Sequence, residues 1–133
     1  MSDLNLSEHF KLLEFTKSNT ARRYKVSNIP SDSHISNLKN LCVNALEPIR
    51  KEYGLPIHVS SGYRCPRLNE LVGGVPNSYH KLGCAADISG PDFSRLKDCI
   101  GSLLENGTIH LDEYIEYPSF VHVALLPFSN HSL

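Results

Sequence analysis

The sequence predicts an α+β domain in which helices pack on a small antiparallel sheet. Two helical stretches and one strand pair carry this expectation. In residues 33–53, Ile35, Leu38, Leu41, Cys42, Ala45, Leu46 and Ile49 recur at steps of three and four, giving one apolar face. Residues 93–105 repeat the pattern with Leu96, Cys99, Ile100, Leu103 and Leu104, between a Gly90-Pro91-Asp92 turn and an Asn106-Gly107 stop. Residues 109–117 and 120–125 are β-prone runs joined at Pro118-Ser119 as a hairpin, and Ile57-His58-Val59-Ser60 alternates as a further strand.

The remaining segments follow in order. Near the start, Ser7 and Ser18 are expected to cap short helices, with Phe10, Leu13 and Phe15 as apolar anchors of an N-terminal cover. Residues 27–32 form a loop around Pro30. Within the long helix, Pro48 predicts a kink or local interruption, and Gly54 is placed to close it. Ser61-Gly62-Tyr63-Arg64 turns away from the first strand. Pro66 opens a short helix over residues 67–72, Gly73-Gly74 ends it, and Val75-Pro76-Asn77 leads the chain to Ser78. The tail, residues 127–133, reads as a loose end, which makes its His131 a poor ligand candidate.

A length of 133 residues predicts a single domain, 1–133, around one core. Thirteen basic and fourteen acidic residues nearly cancel, and no basic run exceeds Arg22-Arg23, so no nucleic-acid partner is expected. The first residues lack a basic and apolar leader, and no window approaches the ~18 apolar residues of a membrane span. The expectation is a soluble monomer, made in the cytoplasm without a signal peptide and without a membrane partner. Cys42, Cys65, Cys84 and Cys99 form no C-x-x-C pair and read as free thiols.

The chemistry concentrates in residues 78–88, Ser-Tyr-His-Lys-Leu-Gly-Cys-Ala-Ala-Asp-Ile. His80 and Asp87 are separated by Gly83 and small residues, which suits a tight turn close to a metal followed by a strand carrying Asp87 inward. A zinc ion accepts imidazole nitrogen and carboxylate oxygen, and a catalytic site needs three protein ligands with one position open. His122, inside the β-prone Phe120-Val121-His122-Val123-Ala124, is the third candidate. An aspartate set in an apolar run is costly to bury without such partners. Cys84 is an alternative donor to Asp87. His9, His34, His58 and His110 read as structural or solvated.

Together, Ser78-x-His80-x-x-Gly83-x-Ala85-x-Asp87-Ile88, Ser61-Gly62-Tyr63-Arg64 before it and Val121-His122-Val123 after it resemble the zinc D-Ala-D-Ala carboxypeptidase family of peptidoglycan peptidases. That family includes D-Ala-D-Ala dipeptidases and phage endolysins, and its zinc fold is similar to the hedgehog signalling domain. The likeness runs over residues 6–125 and is nearest to the short, single-domain phage and bacterial branch. It implies a Zn²⁺ cofactor on His80, Asp87 and His122, with peptidoglycan stem peptide as substrate and partner. It also implies that Arg64 lies by the active site to hold a substrate carboxylate or carbonyl, an interaction suited to its planar fork. Ser78 is placed to bond substrate or to order the loop.

Such a site needs a general base, usually glutamate. Glu113 and Glu116 precede His122 on the neighbouring strand with opposite parity. A two-residue hairpin loop pairs Ile115 with His122 and favours Glu113, whereas a three-residue loop favours Glu116. The family's short branch shows an Ile-Glu-aromatic strand end, matched by Ile115-Glu116-Tyr117, and on that resemblance Glu116 is the expected acid and base. Other branches place an acidic residue three positions before the last histidine, where this chain has Ser119. The expected function is therefore zinc-dependent hydrolysis of a peptidoglycan peptide bond, of carboxypeptidase or endolysin type, acting on the wall after release. The alternative is a zinc-stabilised binding module without turnover.

Overall fold

Four short strands build the sheet: β1 (His58–Ser61), β2 (Ala85–Ser89), β3 (Glu113–Glu116) and β4 (Val121–Ala124). They run in the order β1-β2-β4-β3 with every neighbouring pair antiparallel, in a computed structural model that describes residues 3–127. His131 lies outside the described residues. Strand alternation sends Val59, Ala86, Ile88, Val121 and Val123 into the hydrophobic core, with Tyr114 packed at its margin. The opposite face carries Asp87, His122, Glu113 and Ile115. The α+β expectation holds.

Helices supply the rest of the core. The long helix divides into α3 (Asp32–Leu41), a π turn (Cys42–Leu46) and α4 (Glu47–Tyr53), and its apolar stripe stays buried from Leu38 to Tyr53. The interruption falls just before Pro48. Proline has no N–H to donate, and its ring collides with the carbonyl four residues back, so the helix widens and the Glu47 N–H reaches Cys42 O instead. Gly54 closes α4. Shorter helices α1 (Leu12–Thr16), α2 (Asn19–Arg23) and α5 (Pro66–Leu71) surround β1 and the segment after it. The last helix, α6 (Phe93–Glu105), packs on α4 through Leu96, Ile100 and Leu103, and the Asp92 N–H at its start donates to Tyr53 Oη at 2.7 Å. No helix among the described residues is long and apolar enough to cross a membrane.

The N-terminal cover departs from expectation in two places. Phe10 and Phe15 are buried, edge to face, but Leu13 is 56% exposed because its position on the short α1 turns outward. Ser18 caps α2, whereas Ser7 caps nothing: its hydroxyl donates to Glu47 Oε2 at 2.6 Å. The His9 N–H reaches the same oxygen at 2.7 Å, and His9 Nδ1 lies 2.7 Å from Oε1. Glu47 thus ties the first residues to the start of α4.

That tie predicts acid sensitivity. Burial pushes the Glu47 carboxyl up, but the bonds from Ser7 and His9 outweigh it and hold the pKa below the ordinary value. A carboxylate depressed in the folded state contributes stability above its unfolded pKa of about 4.3 and loses it as pH falls through the lower folded value. The urea midpoint of the native chain should therefore fall further between pH 6 and pH 3 than that of a Glu47→Gln variant. Equal falls would mean that the tie carries no stability.

Candidate metal centre

Register places the first two candidate ligands. β2 and β4 pair with Asp87 directly opposite His122, so both side chains stand on the sheet face away from the core. Asp87 Oδ1 lies 3.0 Å from His122 Nδ1.

His80 arrives from a one-turn 3₁₀ helix, Tyr79–Leu82. Ser78 starts that turn, its Oγ accepting from the His80 N–H at 3.2 Å. Gly83 ends it at φ +77°, where a β-carbon would sit 2.6 Å from the His34 carbonyl oxygen, so only glycine fits. The chain then enters β2 through Ala85 and Ala86, and His80 Nε2 comes to 3.2 Å from Asp87 Oδ1.

The donor atoms of His80, Asp87 and His122 all lie within 4.8 Å of one another. Ligands at about 2.0–2.1 Å around a tetrahedral zinc stand about 3.3 Å apart. The two imidazole–carboxylate separations are close to that spacing, and two nitrogens with one oxygen is a zinc donor set, so these residues fit the ion. His80 and Asp87 are buried while His122 is half-buried, which leaves the cluster open on one side.

Each ligand is also held from behind. His80 Nδ1 lies 2.7 Å from the Gly62 carbonyl oxygen, which can only accept; the ring proton therefore sits on Nδ1 and the Nε2 lone pair faces Asp87. Arg64 forms an ion pair with the other Asp87 oxygen, Oδ2, at 3.5 Å. Its guanidinium is fixed by Ser61 Oγ at 3.0 Å and Asn69 Oδ1 at 3.2 Å, and its backbone N–H donates to His80 O at 3.0 Å. The Ser-Gly-Tyr-Arg segment thus braces two of the three ligands.

Charge balance follows from these contacts. Burial pushes Asp87 up, but its contacts with His122 and His80 outweigh it and bring its pKa to about 2, so the carboxylate stays ionised. For His122, burial pushes down while Asp87 and Glu113 outweigh it, and the net shift is upward. Burial lowers the Arg64 pKa and Asp87 opposes that shift.

A cleft of about 550 Å³ opens over the cluster, with Arg64 and Ser78 in its lining. Val72 and Val75 form one lip, and Ile115 and Tyr117 the other, all four exposed apolar side chains.

The hairpin settles where the two glutamates point. The Tyr117 N–H donates to Phe120 O at 2.9 Å, leaving a two-residue loop, and Ile115 pairs with His122. Glu113 therefore shares the His122 face, with Oε1 at 2.7 Å from His122 Nε2. Glu116 takes the other face and accepts from the Tyr114 hydroxyl at 2.7 Å. Glu116, the expected acid and base, thus lies on the face away from the cleft, a difference of one residue in loop length.

Cys84 also stays apart. It precedes Ala85 with the wrong parity to join Asp87, and burial pushes its thiol up to about 11, which keeps it protonated. All four cysteines are free. The four remaining described histidines lie outside the cluster, with His9 on Glu47 and His34 tilted against the Tyr63 ring at 4.7 Å between centroids. Sequence reasoning missed two supports. The Gly62 carbonyl gives no side-chain signal, and the buried Asn69, which also donates to Val75 O at 2.8 Å, looks like any polar helix residue.

No curated protein matches the chain at a significant level. The family model described as Peptidase M15 matches residues 8–124, which takes in the three convergent donors, the segment that braces them and the whole sheet. With the match covering most of its length, the chain belongs to the Peptidase M15 family, the zinc D-Ala-D-Ala carboxypeptidase-like peptidases.

Proposed function

We propose that this protein is a zinc-dependent peptidase that hydrolyses a peptide bond in bacterial peptidoglycan stem peptide, as a D-Ala-D-Ala carboxypeptidase or an endolysin-type endopeptidase. The observation that carries this reading is the convergence of His80, Asp87 and His122 at the floor of an open cleft in a Peptidase M15 chain. These three residues would hold the ion. When bound, zinc supplies Lewis-acid polarisation of a carbonyl and a water whose pKa falls towards about 7.

The chain's own groups do the binding and orienting. Arg64 makes three side-chain contacts, to Ser61, Asn69 and Asp87, and its remaining N–H donors are available to a substrate carboxylate or carbonyl in the cleft. Ser78 uses its oxygen to accept from the His80 N–H, which leaves its hydroxyl proton for substrate. The valine lips and the Ile115 and Tyr117 side suit the small apolar side chains of alanine-rich peptide. In this reading the protein acts on the bacterial cell wall.

One observation favours a second reading, a zinc-stabilised wall-binding module. Only two carboxylates line the cleft among the described residues, Asp87 and Glu113, and both are engaged with His122. Purified peptidoglycan incubated with zinc-loaded protein separates the two readings. Hydrolysis releases new amino or carboxyl ends in proportion to time, and this is the expected result. Co-sedimentation with the polymer without new ends would replace the peptidase with the binding module.

A further inference from the structure

Of the three donors, His122 alone has both ring nitrogens facing carboxylates. Nδ1 points to Asp87 Oδ1 at 3.0 Å and Nε2 to Glu113 Oε1 at 2.7 Å. A neutral imidazole carries one proton, and it can donate a lone pair to a metal only from the other nitrogen. His80 has this choice made by the Gly62 backbone carbonyl, a fixed acceptor. For His122 the choice falls to a replaceable side chain.

We infer that Glu113 is a positioning residue, whose carboxylate keeps the ring proton of His122 on Nε2 and so presents the Nδ1 lone pair to the metal cluster. An ionised carboxylate offers only acceptors, so its bond to Nε2 requires the proton there. Outer-sphere partners of this kind fix the tautomer and ring orientation of ligand histidines. Placement is set by the backbone, because Glu113 lies two residues from Ile115, the residue paired with His122, and therefore on the same sheet face. Glu113 touches the imidazole on the nitrogen away from the other two donors. It works through His122 and makes no contact with His80 or Asp87 among the hydrogen bonds of the site.

The inference rests on the zinc reading of the cluster, and its test separates the two. Zinc affinity is measured by competition with a chromophoric chelator for the native chain, Glu113→Ala and Glu113→Gln, with thermal unfolding of the metal-free proteins as a folding control. Native protein is expected to take up one equivalent of zinc. Glu113→Ala should bind 10–100-fold more weakly. Glu113→Gln should recover most of that loss, because its amide oxygen accepts the same N–H. Nitrogen NMR of the His122 ring should show a single protonated Nε2 in native zinc protein and a mixture of ring states in Glu113→Ala. Native affinity in a folded Glu113→Ala would overturn the positioning role while leaving the zinc site in place. Absence of zinc uptake by the native chain would overturn the zinc reading, and the inference with it.

Discussion

A His122→Ala variant is expected to fall from about one zinc per chain to none and to lose all hydrolysis of peptidoglycan, measured by metal analysis after gel filtration and by release of new peptide ends. The cluster has three donors, and two of them cannot complete the protein half of a catalytic zinc site. The loss extends to charge balance. Asp87 is 7% exposed and relies on His122, His80 and Arg64 to stay ionised in that setting. A His9→Ala variant is the matched control, since His9 contacts Glu47 and lies outside the cluster, and should keep both zinc and activity. Equal zinc content in the two variants would remove His122 from the ligand set. The same contacts give a pH dependence: the pKa of His122 is raised, so protons compete with the metal, and zinc affinity should weaken as pH falls from 8 to 6.

The second large effect is expected at Gly62. A β-carbon there would sit 2.6 Å from Phe15 Cβ and 2.7 Å from both Phe15 Cα and the Phe15 carbonyl oxygen. Two of those atoms are backbone, and α1 lies against β1, so the clash cannot be relieved by rotating a side chain. A Gly62→Ala change should cost about 3 kcal/mol, the upper part of the range for overpacking a tight interior. For a chain of this size that corresponds to a drop of roughly 10 °C in Tm. Two hydrogen bonds are strained at once: the Tyr63 N–H to Phe15 O at 2.7 Å, and the His80 ring to Gly62 O at 2.7 Å. Zinc affinity should therefore fall along with stability. Gly101→Ala supplies the contrast. It lies in α6 with open space around its β-position, and should stabilise by about 0.5–1 kcal/mol through helix propensity. A Gly62→Ala protein as stable as the native chain would show that α1 is free to move off β1.

Elements whose signals are local were legible in the sequence. The last helix spans residues 93–105, as its Gly90-Pro91-Asp92 start, its Leu96, Ile100 and Leu103 spacing and its Asn106-Gly107 stop predict. The long helix and its interruption were visible from the apolar stripe and Pro48, although the widened turn itself was not, because a π turn has no composition of its own. Leu13 failed as an anchor because in a five-residue helix the facing side depends on what packs nearby.

The sequence by itself determined the class of fold, the positions of the main helices, and three candidate donors of the right chemistry in the right order. Period, capping and turn residues act over a few neighbours, and donor chemistry belongs to each side chain. Only the tertiary structure decided which glutamate meets His122. That depended on strand register, where one residue of loop length exchanges Glu113 for Glu116 across the sheet. It also decided what stands behind each donor: the Gly62 carbonyl for His80, Arg64 for Asp87 and Glu113 for His122. Those partners lie between 9 and 23 residues from the ligands they hold, and nothing in a local pattern encodes an approach of that kind.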